Sequence, residues 1–593
     1  MIIHRKGSLS NIRIFSRVGR PCRKIVIPTW KAPFFTQKKA LGRCMYTHYR
    51  EGRTVPPAYF KNLYYKAMRK VYSSLFCLAC GIAALVACSS APEPFTETAA
   101  AEPAPVQAAS EPANALPASY KDIKYPEFKY VAPYPKDYRV EIAPGISGYI
   151  VPDTTLPLVN LSVYFENPQV VSNIKDEAAD QMVGTMFRRG GSTKISAHDL
   201  DEALEFISAG LSTSVGTWTS GFSIDCLSKD FRNMMVFAGQ LMVSPAFDKE
   251  QLEIVKTNFV TAHEQRYDTP AKVLSALRTK VNYAPNPRLW DASLEEYKKV
   301  DAEDLKRLSA NSFVKVLHAF AKSPAFRVKN LAPAPGRIVF ALSGDVNRDS
   351  AQTMLRDFFM AMLMVAANVK ADTVATYSAP QPLAFLNKPG TYVVDKDITQ
   401  ANISMNQPFV KRPHPDYYPA AVANFILGGG SFSSRLMTRV RSDEGLAYHI
   451  SSRAGNDYRD TAMVTISLQT KVESAARALE LIYGEIEKLA KEGPSEEELA
   501  MAKKTLVESL PGEFDSPAST AIIFAKNEMI GKTFDHYLDY VKEINAVTAE
   551  QVKAMIAKYY TKDKMTISVV GPVSKLESLK PFTVVPLDSL DFR

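Results

Sequence analysis

From about Tyr138 onward, apolar residues recur with two different periods along the chain. Across Leu156 to Phe165 they alternate with polar ones, the two-residue period of a half-buried strand. Met182, Val183, Met186 and Phe187 then lie one, three and four positions apart, the spacing of a helix with one face turned inward. Ser196 and Asp199 form a capping box that opens the next helix, and Gly210 is expected to end it. Alternation returns around Thr213 to Val215 and Phe222 to Cys226; helical spacing follows from Asn233 to Val243 and from Asp248 onward. Strands and helices therefore mix without the strict strand-helix-strand rhythm of a parallel sheet, which predicts an α+β fold.

The second half of the chain repeats this plan. Val300-Asp301-Ala302-Glu303-Asp304-Leu305-Lys306 reappears as Val547-Thr548-Ala549-Glu550-Gln551-Val552-Lys553, at an offset of 247, and each copy opens a helix with a capping pair. Val339 to Val346, ending Ser-Gly-Asp-Val, recurs as Thr566 to Val573, ending Val-Gly-Pro-Val. Between these glycines the offset is 227, so the extra residues of the first copy fall near Val314 to Pro335. Pro245 before a helix capped at Asp248 likewise matches Pro494 before one capped at Ser495. Three matches in the same order predict two tandem homologous domains, 138–369 and 388–593, joined by a linker over 370–387.

Charge changes the picture only at the front. The formal net charge is +10, but Met1 to Ala67 holds 15 Lys and Arg against Glu51 alone, which leaves the remainder at −4 and gives no footprint for nucleic acid. Met68 reads as a second beginning. Arg69 and Lys70 make a basic start, Val71 to Leu85 is a short apolar run, and Leu85-Val86-Ala87-Cys88 closes it, the pattern of a secretory signal too short to remain as a membrane span. The closing four residues resemble the cleavage box of a bacterial lipoprotein signal, in which the Cys becomes the acylated first residue. On this reading 1–67 is an upstream extension from a mis-assigned start, 68–87 the signal and 88–137 a lipid-anchored tether. A genuine basic arm, or a long signal start, is the alternative for 1–67. Ser89 after the Cys carries no acidic retention signal, so the expected place is the outer membrane of the cell envelope, facing the periplasm. Of six cysteines only Cys88 and Cys226 survive such processing, so no disulfide framework is expected, and Cys226 reads as a buried core thiol.

The most specific stretch lies in the second repeat. Leu427-Gly428-Gly429-Gly430-Ser431-Phe432-Ser433-Ser434-Arg435-Leu436 leads into Val440-Arg441-Ser442-Asp443-Glu444-Gly445-Leu446-Ala447-Tyr448. This resembles the carboxy-terminal domain of insulinase/pitrilysin-type peptidases. The resemblance implies two homologous α+β domains, each a mixed, mainly antiparallel sheet packed with helices, paired as a clamshell. It also implies that Arg441 and Tyr448, seven positions apart, grip the scissile peptide, with Gly428, Gly429 and Gly430 expected to border the substrate. Locally, Ser433 is expected to cap a helix that turns Leu436, Met437 and Val440 inward, Gly445 to end it, and Leu446 to Ser451 to return as a strand. A guanidinium and a phenol so placed can polarise a peptide carbonyl and stabilise the charge that grows on it. Outside such a motif, a solvated helix end and a rim aromatic would account for both residues. The glycines lack the G-x-x-x-x-G-K spacing of a phosphate loop.

For hydrolysis the same family needs an inverted zinc motif, H-x-x-E-H, on the first helix of the first repeat. The matching helix reads Ala179-Asp180-Gln181-Met182-Val183-Gly184, with Asp180 and Gly184 at the two His positions and Val183 at the Glu. The later Glu ligand falls near Thr261 and Ala262, and the adjacent His263-Glu264 offers no second ligand at helical spacing. No two of the eight His are four apart. This chain is therefore expected to bind no cofactor. The resemblance implies a non-catalytic subunit of a peptidase heterodimer acting on peptides or unfolded protein, with zinc on a homologous partner subunit. A structural or peptide-binding scaffold of the same fold is the alternative.

Overall fold

A computed structural model describes Ser119 and residues 130–322, 336–368 and 377–593. The extension, the signal, Cys88 and the tether up to residue 129 lie outside the described residues, Ser119 apart. Tyr125 to Arg593 forms one compact unit.

Within that unit stand two six-stranded sheets. The first runs in the order β1 (Arg139–Ala143), β2 (Ile146–Pro152), β7 (Ile338–Gly344), β3 (Leu158–Glu166), β6 (Thr219–Leu227), β5 (Gly210–Val215). The second runs β11 (Ala447–Ala454), β12 (Met463–Lys471), β10 (Gln400–Pro408), β13 (Thr566–Gly571), β9 (Gly390–Asp395), β14 (Thr583–Val584). Read from opposite ends, the sheets match strand for strand over five positions. Each has one parallel pair there, β2 with β7 and β9 with β13, among antiparallel neighbours. Only the sixth strands differ: β1 is antiparallel to β2, whereas β14 is parallel to β9. Two α+β halves built on one plan are thus present, and the repeat at Asp301 and Thr548 is a complete capping box in both copies.

Each sheet is covered on one face by helices of its own half. In the first half Ile150, Phe340 and Leu342 pack with Met182, Met186 and Phe187 of the Glu177–Arg189 helix. Val393, Val569 and Ile567 do the same against the helices of the second half. The other face of each sheet is covered from across the chain. Tyr149, Val151, Val339 and Ala341, the alternate positions of β2 and β7, meet Ala521, Phe524, Ala525 and Met529 of the Pro517–Met529 helix. In return, Val394 and Val570 meet Val273, Leu277 and Val281 of the Pro270–Asn282 helix. Both exchanged helices start alike, with a hydroxyl cap, Thr269 or Ser516, followed by proline at the first helical position, where its missing N–H costs nothing.

Polar contacts fix the exchange. Glu528, on the Pro517–Met529 helix, accepts from Arg139 Nε and Nη2 at 3.1 and 3.0 Å, from Ser147 Oγ at 2.8 Å and from the Tyr149 hydroxyl at 2.5 Å. Burial alone would raise its carboxyl, yet the donors from Arg139, Tyr149 and Ser147 hold it below the ordinary carboxylate range. A second tie joins the Trp218 ring, flanked by the guanidinium groups of Arg288 and Arg459, to Asp460, which pairs with Arg288 at 2.6 Å.

Two sequence expectations about the Ala197–Ile207 helix need correction. Gly210 does not end the helix Ala197–Ile207: Ser208 takes the left-handed position, with φ 52°, and Gly210 opens β5. Ser196 caps that helix through the Asp199 amide, but its own hydroxyl donates to the Asp199 carboxylate, so the box is one-sided. The linker is stitched in over its described part. Tyr377–Ser378 (β8) pairs with Val170–Val171 (β4), the Leu386 amide donates to the Asn282 carbonyl, and the Leu383 amide to Asp460. Cys226 is buried as expected, with its thiol pushed up to about 12 by burial.

A carboxyl held low in the folded state stabilises above its unfolded pKa and loses that contribution as pH falls through the folded value. Glu528→Gln is expected to lower stability at pH 7 by about 1–3 kcal/mol, short of the value for a fully buried pair because the Arg139 side chain remains 28% exposed. Urea midpoints measured from pH 7 downward should show the gap between parent and variant closing below about pH 4.3. A gap that persists unchanged at acid pH would contradict this assignment.

Candidate functional site

The first candidate position is the helix Glu177–Arg189, where the family's metal motif would stand. Its inward face is full. Val183 is wholly buried in the core of the first half. A Cβ on Gly184 would lie 2.7 Å from the Val215 amide nitrogen of β5, so no side chain fits there while that strand stays in place. The Gly184 carbonyl accepts from the Thr213 hydroxyl of the same strand at 2.7 Å. Asp180 is taken by the linker: the Tyr377 hydroxyl donates to its Oδ1. Burial pushes the Asp180 carboxyl up, and the bond from Tyr377 works against that rise. One turn earlier, burial pushes Glu177 up to about 7.

These residues do not fit a zinc ion. Thr261 and Ala262, at the later ligand position, are exposed and lack metal-binding groups, and the His263 ring lies 5.6 Å from that of Tyr297. Among the described residues no group of three or more His, Cys, Asp or Glu could hold a metal.

The second candidate position is at the edge of the other sheet. After the helix Tyr417–Asn424 the chain winds through Phe425–Gly429 with a wider turn and then meets the three glycines. A Cβ on Gly428 would lie 2.9 Å from the Ser452 amide of β11, one on Gly429 2.6 Å from the Asn424 amide group, and one on Gly430 2.8 Å from the Phe425 carbonyl. Close backbone approach thus requires glycine at 428 and 430, and the Asn424 side chain takes the space beside Gly429. Gly428 is buried against β11, while Gly429 is exposed. Asn424 locks this approach, since its side chain accepts from the Ser452 and Tyr560 hydroxyls at 2.8 and 3.0 Å.

The following turn carries Ser431 at φ 54°, a left-handed conformation unusual for serine. Its carbonyl accepts from the Ser434 hydroxyl and amide, and the Gly430 carbonyl accepts from Ser433. Ser433 is therefore bonded backward. Ser434, extended and immediately ahead of the helical segment, holds the capping position expected of Ser433. Leu436, Met437 and Val440 turn inward as expected, over a widened helix Met437–Asp443. Gly445, at φ 63°, ends it; its amide donates to the Arg441 carbonyl and the Leu446 amide to that of Val440.

This termination brings Arg441 and Tyr448 together, with the guanidinium carbon 5.8 Å from the phenol ring centre. Tyr448 is 80% exposed, so its hydroxyl faces outward. Arg435 and Arg439 beside it are paired with Glu498 and with Asp443 and Glu444. Arg441 instead donates only a long contact of 3.8 Å to Met437 Sδ, and no carboxylate pairs with it among the described residues. An unpaired guanidinium and a free phenol on one rim can receive a carbonyl oxygen. Phe432, which sequence reasoning passed over, completes this rim with its ring 4.9 Å from the Arg441 guanidinium. Its placement directly after the glycines was the available signal.

Comparison with known proteins agrees with this architecture. A family model described as the Peptidase M16 inactive domain matches residues 331–506. The chain is 25% identical over 389 residues to a protein of Helicobacter pylori named Non-peptidase homolog YmxG, covering 65% of this chain and 82% of the relative. It is 23% identical over 400 residues to one of Bacillus subtilis named Uncharacterized zinc protease YmxG, covering 66% and 88%. Among solved structures, a peptidase M16 inactive domain from Pseudomonas fluorescens superposes with a TM-score of 0.56 at 22% identity, over 73% of this chain and 96% of that one. The periplasmic protease PqqL from Escherichia coli gives 0.57 at 14% identity, over 72% of this chain and 44% of its own. Residues 331–506 thus match the inactive domain of the M16, or insulinase/pitrilysin, family, and the fold of the described chain is similar to solved M16 structures.

Writing the metal motif back should therefore fail. The triple variant Asp180→His, Val183→Glu, Gly184→His is expected to hold no stoichiometric zinc after dialysis and to melt well below the parent, because it buries a charge and drives a ring into β5. Metal analysis and thermal unfolding check this; a tightly bound equivalent of zinc at parental stability would refute it.

Proposed function

We propose that this chain is the non-catalytic subunit of a divided M16 peptidase, and that it lends Arg441 and Tyr448 to the zinc site of a homologous partner subunit. The observation that carries the proposal is the open Arg441 guanidinium, paired with no carboxylate among the described residues and facing an exposed Tyr448, in a chain whose own metal position is filled by core side chains and Tyr377. A structural protein gains nothing from an unpaired cation beside an exposed phenol. In a peptidase, the two supply fixed donors for the carbonyl oxygen whose negative charge grows during attack, and such donors are worth most where water is excluded. The metal and the general base would come from the partner, and peptides or unfolded protein segments would be the substrate. A scaffold reading also has support, in the name of the Helicobacter pylori relative, Non-peptidase homolog YmxG. The two readings separate at Tyr448.

The proposal extends to location. Acylated Cys88 would hold the unit at a membrane surface through the tether that follows it, in the cell envelope and on the periplasmic face of the outer membrane. Cys88→Ser is expected to move the protein from the membrane fraction to the soluble fraction of its native host. Retention of the variant in the membrane fraction would count against the anchor.

The decisive experiment tags this chain in that host and recovers what binds it. A partner bearing H-x-x-E-H should co-purify, and the pair should cleave quenched fluorescent peptides that neither chain cleaves alone. Arg441→Ala is expected to lower kcat/KM by about 10²–10³, Tyr448→Phe should lower it to a smaller extent, and Arg441→Lys should not restore it because the planar fork is lost. Parental turnover by complexes carrying Arg441→Ala and Tyr448→Phe would leave the scaffold reading standing.

A further inference from the structure

We infer that Phe432 is a positioning and specificity residue of this site, one that holds the Arg441 guanidinium against Tyr448 and receives an apolar substrate side chain next to the peptide bond being cleaved. This deepens the proposed function and rests on it.

Exposure is the first argument. Of the described Phe, Tyr and Trp residues only Phe206, Phe432 and Tyr448 are exposed, at 65%, 70% and 80%. Two of these three meet at one guanidinium, at 4.9 and 5.8 Å. Leaving a large ring in water forgoes the stabilisation that burial would contribute, and a contact between Arg and an exposed ring returns less than that. Stability alone therefore does not account for two rings kept outside.

The second argument is the turn that presents the ring. Ser431 is one of four non-glycine residues with positive φ among those described. The two hydrogen bonds to its carbonyl, with that from Ser433 to Gly430, fix the loop at both sides of Phe432. The three glycines beneath it leave no room for a Cβ. A rigid, strained turn that ends in an outward ring is a presentation device, since strain of this kind persists only where the surroundings enforce it.

The chemistry follows from the arrangement. Among the described residues no carboxylate orients Arg441, so the rings of Phe432 and Tyr448 are what limit its rotation and leave its N–H edge free. When that edge engages a peptide carbonyl, the adjoining substrate side chain lies within reach of the two rings. An apolar side chain is favoured there, and a small or charged one is not.

The test uses the complex recovered with this chain and two quenched peptide series, one with Leu or Phe and one with Gly or Asp beside the cleaved bond. Phe432→Ala is expected to lower kcat in both series alike, because Arg441 loses its stop, and to raise KM about tenfold for the apolar series while leaving KM for the Gly and Asp series within about twofold, erasing the preference. Phe432→Trp should restore it, and thermal unfolding of both variants should match the parent because the side chain is exposed. If Arg441→Ala abolishes turnover while Phe432→Ala leaves KM and the preference unchanged, this inference falls and the proposed function stands. If Arg441→Ala leaves turnover unchanged, both fall.

Discussion

The reciprocal exchange of one helix between the halves is the constraint on which the rest of the structure depends. A six-stranded sheet with apolar residues at alternate positions of both faces must be covered twice. Here each half covers only one face of its own sheet and borrows the second layer from the other, through Phe524 and Met529 in one direction and Val273 and Leu277 in the other. Neither half could be cut away without exposing Tyr149, Val151 and Val339, or Val394 and Val570, to water. Glu528, with four donors from the opposite half, adds register to an attraction that by itself is non-directional.

This arrangement also explains how the rim at Arg441 can be both precise and exposed. β11 lies at the edge of the second sheet, with its outer side open and its inner side bonded to β12. Ser452 on that strand, Asn424 on the preceding helix and Tyr560 on a later one form a polar knot under the glycines. The rim side chains Phe432, Arg441 and Tyr448 therefore project from a base fixed by three elements, and little of their geometry is left to a mobile loop.

Much of this was legible in the residues, because it depends on local chemistry. Capping boxes at Asp301 and Thr548, the alternation in β3 and β6 and the Gly445 terminator each follow from rules confined to a few positions. The helix exchange was not read, although its signal is present: Asp268-Thr269-Pro270-Ala271 returns as Asp515-Ser516-Pro517-Ala518 at the same offset of 247 as the Asp301 pair. A repeated start shows that two helices correspond, but which sheet each one covers is a long-range choice that no local pattern encodes. The same limit applies to Tyr377, whose bond to Asp180 spans 197 positions, and to Phe432, whose exposure depends on how the glycine turn packs. Ser208 won over Gly210 because the strand begins at once and a compact polar residue can adopt the left-handed conformation.

The bond from Tyr377 to Asp180 bears on the history open to this chain. A metal position that had merely emptied could be regained one residue at a time. This one is filled: the linker pairs with β4 and docks its phenol on Asp180, while β5 lies close against Gly184. Every single step toward an imidazole there now meets a neighbour already seated, and the loss in packing precedes any gain in chemistry. The arrangement works as a ratchet: any imidazole brought to this helix must displace a seated neighbour before it can reach a metal.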